Sequence, residues 1–331
     1  TLKQRFSFTK IQVYGTILLQ RVMTMYKHVS VLLNESINYL NIKKDGVYVD
    51  CTLGGGGHSF EILKRLEGGH LYCFEQDDFA IAKATEKLDA LNKNYTIIKS
   101  NFVNIKEELN KLGVTGIDGV LYDLGVSSFQ FDIPERGFSY KYDAPLDMRM
   151  NQSQELTAEK IVNEFSFHEI QNILNRYGEE KQAKWIARKI EEVREVRRIE
   201  TTFELVDVIK SALPQKLLSK KGHPAKKTFQ ALRIAVNDEL RVFEDSFNDA
   251  LDMLNKDGRG VVITFHSLED RIAKTIMKER STLDIPKHVM IMPDETADFE
   301  LLHRKVILPS TEELEHNNRA HSAKLRAIKK L

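Results

Sequence analysis

Val47-Tyr-Val-Asp-Cys-Thr-Leu-Gly-Gly-Gly-Gly-His-Ser59 decides how this chain folds. A short apolar run ends in four glycines, and a helical period then runs through Phe60, Ile62, Leu63 and Leu66. That is a strand, a tight turn and a helix. Working outward, Leu71–Glu75 reads as a second strand and Ala80–Leu91 as a second helix. Tyr95–Ile98 and Ile117–Tyr122 read as strands three and four. Strands alternating with helices of this length imply a parallel sheet with right-handed crossovers.

The alternation stops near Pro134. Residues 153–212 carry helical periods only, as at Ile186, Ile190 and Val193, with a breaker at Pro214. One long amphipathic pattern follows from Thr228 to Leu254. Arg259–Phe265 restores the strand signal and Ser267 opens another helix, with Asp270 as its capping partner. A last strand is expected around Lys305–Leu308, ahead of a basic tail, Arg319–Lys330. The expected architecture is one α/β, Rossmann-like sheet built from 25–133 and 234–331, interrupted by an all-helical insertion, 134–233. Residues 1–24 imitate a secretory signal but lack a small-residue cleavage site. They are expected to be a loose tail, or to precede a true start at Met23 or Met25.

Composition narrows the class. The chain has 331 residues, 42% hydrophobic and 29% charged, with 49 basic against 48 acidic side chains. Disorder and collagen-like repeats are excluded. A net charge of +1 requires any nucleic acid to be held by a local patch. No apolar run approaches a membrane span. Two cysteines, Cys51 and Cys73, make no disulfide framework and fit a reducing cytoplasm.

The glycine turn lies at the carboxyl end of the first strand, where open α/β sheets bind ligands. A phosphate-cradling loop needs Lys-Ser/Thr after the last glycine, and His58-Ser59 stands there instead. A dinucleotide fingerprint wants glycine or alanine at position 59. Asp50, Glu75 and Asp123 end three successive strands, so they are expected to gather as an anionic rim. Such a rim suits S-adenosylmethionine, which carries a sulfonium and an ammonium group and no phosphate. A plain tight turn and a solvated Glu75 are the competing readings. Phe102 follows strand three, placed to pack on an adenine. Asp123-Leu-Gly-Val-Ser-Ser-Phe-Gln130 follows strand four, with no Pro-Pro-aromatic motif and no cysteine nucleophile for carbon-5 chemistry. His266 reaches the same rim, and with Asp147, Arg149 and Asn237 it is a candidate for the pocket wall. His28, His58 and His223 have no metal-ligand spacing with either cysteine, so no metal is expected.

Between Asp207 and Asp238 the sequence holds no acid, but Lys210, Lys216, Lys220, Lys221, Lys226, Lys227 and Arg233. Phosphates are the natural partners of such a run, and a merely solvated face is the alternative.

Several blocks resemble the ribosomal RNA small-subunit methyltransferase H family, also called MraW. They are His28–Leu33, Tyr48–Ser59, Asp123–Gln130, Glu135–Ser139, Pro145–Met150, Tyr177–Glu180, His223-Pro-Ala with Thr228–Arg233, Phe265–Arg271 and Ser322–Arg326. The resemblance implies a class I methyltransferase that uses S-adenosylmethionine to methylate the exocyclic amine (N4) of a decoding-centre cytidine in 16S rRNA of the small ribosomal subunit. By motif it implies cofactor contacts at Gly56, Gly57, His58, Glu75, Phe102, Asp123 and Gln130. The chemistry of a cytosine amine separately makes Asp123, or a backbone carbonyl in Leu124–Ser127, the candidate catalytic acceptor. It implies an RNA-recognition role for the insertion and no membrane partner, and it leaves a homodimer open. Ser30, Glu75, Phe129, Asn318 and His321 depart from the family pattern, Glu75 conservatively and the last two within the tail. Competing functions are a small-molecule or protein methyltransferase, a noncatalytic RNA-binding assembly factor and, more distantly, a nicotinamide oxidoreductase.

Overall fold

Among the described residues seven strands, numbered in chain order, form one sheet in the order β3-β2-β1-β4-β5-β7-β6. The computed structural model describes residues 30–91, 93–219, 222–283 and 297–331; the 1–24 segment, His28, Lys220 and Lys221 lie outside them. In chain order come α1 (Leu33–Leu40), β1 (Val47–Asp50), α2 (Gly57–Arg65), β2 (His70–Glu75), α3 (Asp78–Asp89) and β3 (Tyr95–Lys99). Then follow α4 (Ile105–Lys111), β4 (Ile117–Asp123) and α5 (Ser128–Asp132). β1 to β4 and β5 (Leu254–Thr264) pair in parallel. The order reverses between β1 and β4, the switch point at which such sheets open a crevice.

Helices cover both faces, so 48–50 in β1, 119–122 in β4 and 260–264 in β5 are continuously buried rather than alternating. In β4, Val120 and Tyr122 enter one core with Phe243 and Phe247, while Leu121 enters the opposite core with Ile62 and Leu63.

Between β4 and β5 run α6 (Ala158–Glu164), α7 (Phe167–Gly178), α8 (Ala183–Arg194), α9 (Thr202–Ala212), α10 (Gln215–Leu218), α11 (Lys226–Asn237) and α12 (Glu239–Met253). Capping boxes start α7 at Ser166 and α9 at Thr201. Leu174, Ile186, Ile190, Leu205, Phe229 and Leu232 belong to a third core, distinct from those flanking the sheet.

Two expectations are corrected. The pattern from Thr228 to Leu254 is two helices, α11 and α12, broken at Asp238, whose φ of 50° is left-handed. The last long strand is not Lys305–Leu308, where Ile307 makes only an isolated bridge to Leu325. It is β7 (Lys324–Lys330), inside the expected basic tail and antiparallel to both β5 and β6 (Phe299–Leu301). Its apolar members Leu325, Ala327 and Ile328 are buried. Lys324 and Arg326 reach Asp270 at 3.3 and 2.7 Å, and Lys329 pairs with Asp257 and Glu300. These charges stitch the sheet's edge. Two further helices are α13 (Ser267–Arg280) and α14 (Thr311–His316). Among the described residues, no helix is long and apolar enough to cross a membrane.

Candidate active site

The glycine loop turns β1 into α2 at the switch point. Gly56 sits at φ 68°, and a Cβ there would lie 3.2 Å from that of Ala84. Both the conformation and the space call for glycine. Gly57 is the first residue of α2. The loop is held from across the sheet, because the Gly54 amide donates to Glu75 Oε2 at 3.0 Å. Glu75 Oε1 accepts from the amides of Gln76 and Asp77 at 2.8 and 3.0 Å. Burial raises the Glu75 carboxyl above its usual range, against the pull of these amides.

The three carboxylates do not share one rim. Asp50 is 1% exposed. Its Oδ1 accepts from the Thr52 amide at 3.0 Å, and its Oδ2 accepts from the Ser59 hydroxyl at 2.6 Å. Asp50 is therefore an internal tie for the loop. Thr52 Oγ1 in turn accepts from the Asp123 amide at 2.7 Å, locking the ends of β1 and β4 together. Glu75 and Asp123 remain at the crevice.

Asp123 Oδ1 is buried and has no hydrogen-bond partner among the described residues. Oδ2 lies 3.6 Å from Nδ1 of His58. His58 is buried, with Nε2 3.1 Å from the Val31 carbonyl. A carbonyl only accepts, so Nε2 carries the proton and a neutral ring leaves Nδ1 bare. Burial lowers the His58 pKa and keeps the ring neutral. Burial also raises Asp123 well above the carboxylate range, with Asp50 and Glu269 adding like charge. A protonated Asp123 facing a bare Nδ1 fits both directions.

Phe102 lies just beyond β3, in a short 3-10 turn, its ring edge-on to Tyr122 at 5.6 Å. Gln130, on α5, is buried and folds back so that Oε1 accepts from the Ser127 amide at 3.0 Å. It shapes the turn after β4.

His266, not Ser267, caps α13: its Nδ1 faces the Glu269 amide at 3.4 Å and Glu269 Oε2 returns to the His266 amide at 3.2 Å. Ser267 instead donates to Glu179 at 2.9 Å, and Asp270 holds β7. Glu239, His266 and Glu269 bring ligand-type atoms within 4.8 Å of one another. Arg233 forks onto Glu239 with two 2.9 Å bonds and supplies a cation there. Arg233 is thereby withdrawn from the basic stretch, whereas Lys210, Lys216, Lys226 and Lys227 are exposed.

Asp147, Arg149 and Asn237 build the 145–154 loop rather than standing free. Arg149 is bidentate to Asp147 and reaches the Gln152 and Gln154 carbonyls. Asn237 Oδ1 accepts from the Met150 amide, and its Nδ2 donates to the Met148 carbonyl. Met148 is left-handed at φ 61°.

Sequence reasoning missed the buried pair of Asp77 and Arg136. Asp77 is two residues past Glu75, and the second arm of Arg136 donates to the Arg149 and Met150 carbonyls. One guanidinium thus joins the end of β2 to the loop of the insertion. Arg136 lies in a block that the family resemblance flagged, but its partner is remote in sequence.

The family model described as the MraW methylase family matches residues 25–331. Among solved structures, the chain resembles a Clostridium thermocellum protein carrying an rRNA-methylase assignment, at 14% identity and a TM-score of 0.43, covering 92% of this chain and 100% of that one. An rRNA methylase from Streptococcus thermophilus shows 11% identity and a TM-score of 0.42, covering 92% and 99%. SMU.1697c from Streptococcus mutans, solved with SAH, shows 13% identity and a TM-score of 0.42, covering 92% and 100%. The family model spans every residue beyond the first 24. The chain belongs to the MraW methylase family.

Proposed function

We propose that this methylase transfers the methyl group of S-adenosylmethionine to the N4 amine of a decoding-centre cytidine in 16S rRNA. The observation that carries the cofactor reading is the unpartnered, buried Oδ1 of Asp123 at the switch point. A buried carboxylate oxygen without a donor calls for a cationic or donating ligand. S-adenosylmethionine fits: it brings an ammonium, a sulfonium and a ribose diol, and no phosphate to be repelled. Gly56 and Gly57 admit it close to the backbone, Glu75 has free lone pairs for hydroxyls, and Phe102 offers an apolar face to the adenine. His58 and Gln130 hold the floor and wall by bonds to Val31 and Ser127.

When bound, the cofactor supplies an electrophilic methyl carbon. The nucleophile is weak, because the lone pair of a cytosine amine is delocalised into the ring. Positioning is the main requirement, and it supplies several kcal/mol of the barrier. Asp123, or a carbonyl in Leu124–Ser127, accepts a hydrogen bond from the amine and so localises that lone pair; Asp123 takes the proton only in its ionised form, once the nitrogen is methylated. No strong base is needed before attack, since the nitrogen becomes acidic once it is methylated. The target base must leave any stack to reach the crevice. The helical insertion, 134–233, grips the surrounding RNA through backbone and shape. The exposed Lys210, Lys216, Lys226 and Lys227 support that role.

The test is mass mapping of nucleosides in 16S rRNA, free and in small-subunit particles, after incubation with isotopically labelled cofactor. N4-methylcytidine at one position is expected. Label on another atom, or none, overturns the reading.

A further inference from the structure

Trp185 is the only tryptophan of the chain, and it is 61% exposed on α8. The inner face of that helix is complete without it, through Ala183, Ile186, Ala187 and Ile190. Single exposed apolar residues are ordinary. This one differs in its surroundings. On α8 the helical neighbours of position 185 are Arg188 and Lys189, while Lys181 and Gln182 lie in the turn that leads into the helix. Lys184 precedes it, and no acid occurs from 181 to 190. Lys189 is occupied by Glu192. Lys181, Lys184 and Arg188 are exposed, and among the described residues none of them pairs with a carboxylate. Arg188 is steadied over the Phe167 ring at 5.5 Å.

The segment leading into the helix touches the start of α13. Glu179, which ends α7, accepts from Ser267 at 2.9 Å and from Arg271 at 3.0 Å, and Ser267 adjoins the capping His266. Trp185 is six residues beyond Glu179, so at most about 20 Å of backbone separates them. That span matches about six stacked nucleotides.

We propose that Trp185, with Lys181, Lys184 and Arg188, forms a base-stacking platform for single-stranded RNA leading away from the target base. An aromatic face flanked by cations without carboxylate partners is the arrangement that single strands use, a base on the ring and phosphates on the charges. This rests on the RNA-methylase reading given above. Trp185 is neither catalytic nor in contact with the cofactor crevice; it fixes where the strand runs.

Because the tryptophan is unique, its emission reports on the platform alone. Titrating the full-length protein with a short single-stranded oligoribonucleotide should quench that emission, and rising salt should reverse it. Trp185→Ala should weaken binding about tenfold in a filter assay, with Trp185→Phe retaining most of it. Lys184→Ala with Arg188→Ala should lower the slope of binding against salt by about two. S-adenosylmethionine affinity should be unchanged in all three variants, which also reports that they fold. Oligonucleotide binding with unmoved emission and an unweakened Trp185→Ala variant would sink the platform and leave the RNA-methylase reading standing. Quenching that follows protein concentration, with or without RNA, would identify the face as a protein contact and overturn the proposal. Absence of both RNA binding and RNA methylation would fell the parent reading as well.

Discussion

The crevice at the ends of β1, β2 and β4 and the outer face of the helical insertion both carry charge, but they hold it in opposite ways. At the crevice the charges are buried and tied. Asp50 is tied by Thr52 and Ser59, Glu75 is held by three amides with a lone pair to spare, and Asp77 is paired with Arg136. On the insertion, Lys184, Arg188, Lys216 and Lys226 stand in water. A buried charge acts at short range, through pKa and geometry, and its loss leaves a stranded partner. An exposed charge acts through a screened field and costs little to remove. On the function proposed above, the crevice suits one ligand in one pose and the exposed cations of the insertion suit a polyanion.

The contrast breaks first at Asp123. Asp123→Asn should lower single-turnover methyl transfer about 100- to 1,000-fold with the fold intact. Near-normal rates would remove Asp123 from the mechanism. Arg136→Ala should cost about 3–5 kcal/mol in urea unfolding, because Asp77 would be left buried and alone. A change below about 1 kcal/mol would show that this pair behaves like the surface charges. Gly56→Ala forces a side chain into φ 68° and against Ala84. About 1–2 kcal/mol of strain is expected, read as lost stability in urea unfolding.

A pH series sharpens the same point. The folded chain holds the Asp123 proton more tightly than the unfolded chain does. The stability this contributes is full below the ordinary carboxylate pKa and fades as pH rises through the raised value. Cofactor affinity runs the other way: it should rise over that window as the carboxylate ionises, by at most about tenfold per pH unit. Asp123→Asn should flatten it. The smallest effect belongs to the insertion. Replacing Lys210, Lys216 and Lys226 with alanine should reduce the salt slope of RNA binding by about one for each of these lysines that meets a phosphate, with cofactor affinity unmoved.

The parts of this molecule that were legible in its sequence are those set by local pattern. The strand, glycine turn and helix at 47–66 could be read from period and glycine content, and so could the alternation up to Asp123. Less legible was anything decided by a remote partner. Lys324–Lys330 reads as a basic tail until Asp270, Asp257 and Glu300 are brought beside it. Asp50 looks like a rim carboxylate until Ser59 turns toward it. The break at Asp238 carries no glycine or proline to announce it. His266 takes a capping position that serine, threonine, aspartate or asparagine usually fills.

One feature bears on how the chain reaches this state. β4 and β5 are hydrogen-bonded neighbours at the centre of the sheet, yet about 130 residues separate them, and closing so long a loop is entropically costly and slow. The insertion's private core turns that loop into a short, stiff connection once the helices have condensed. Maturation should therefore begin in the insertion, with β5 annealing onto a half-built sheet only afterwards.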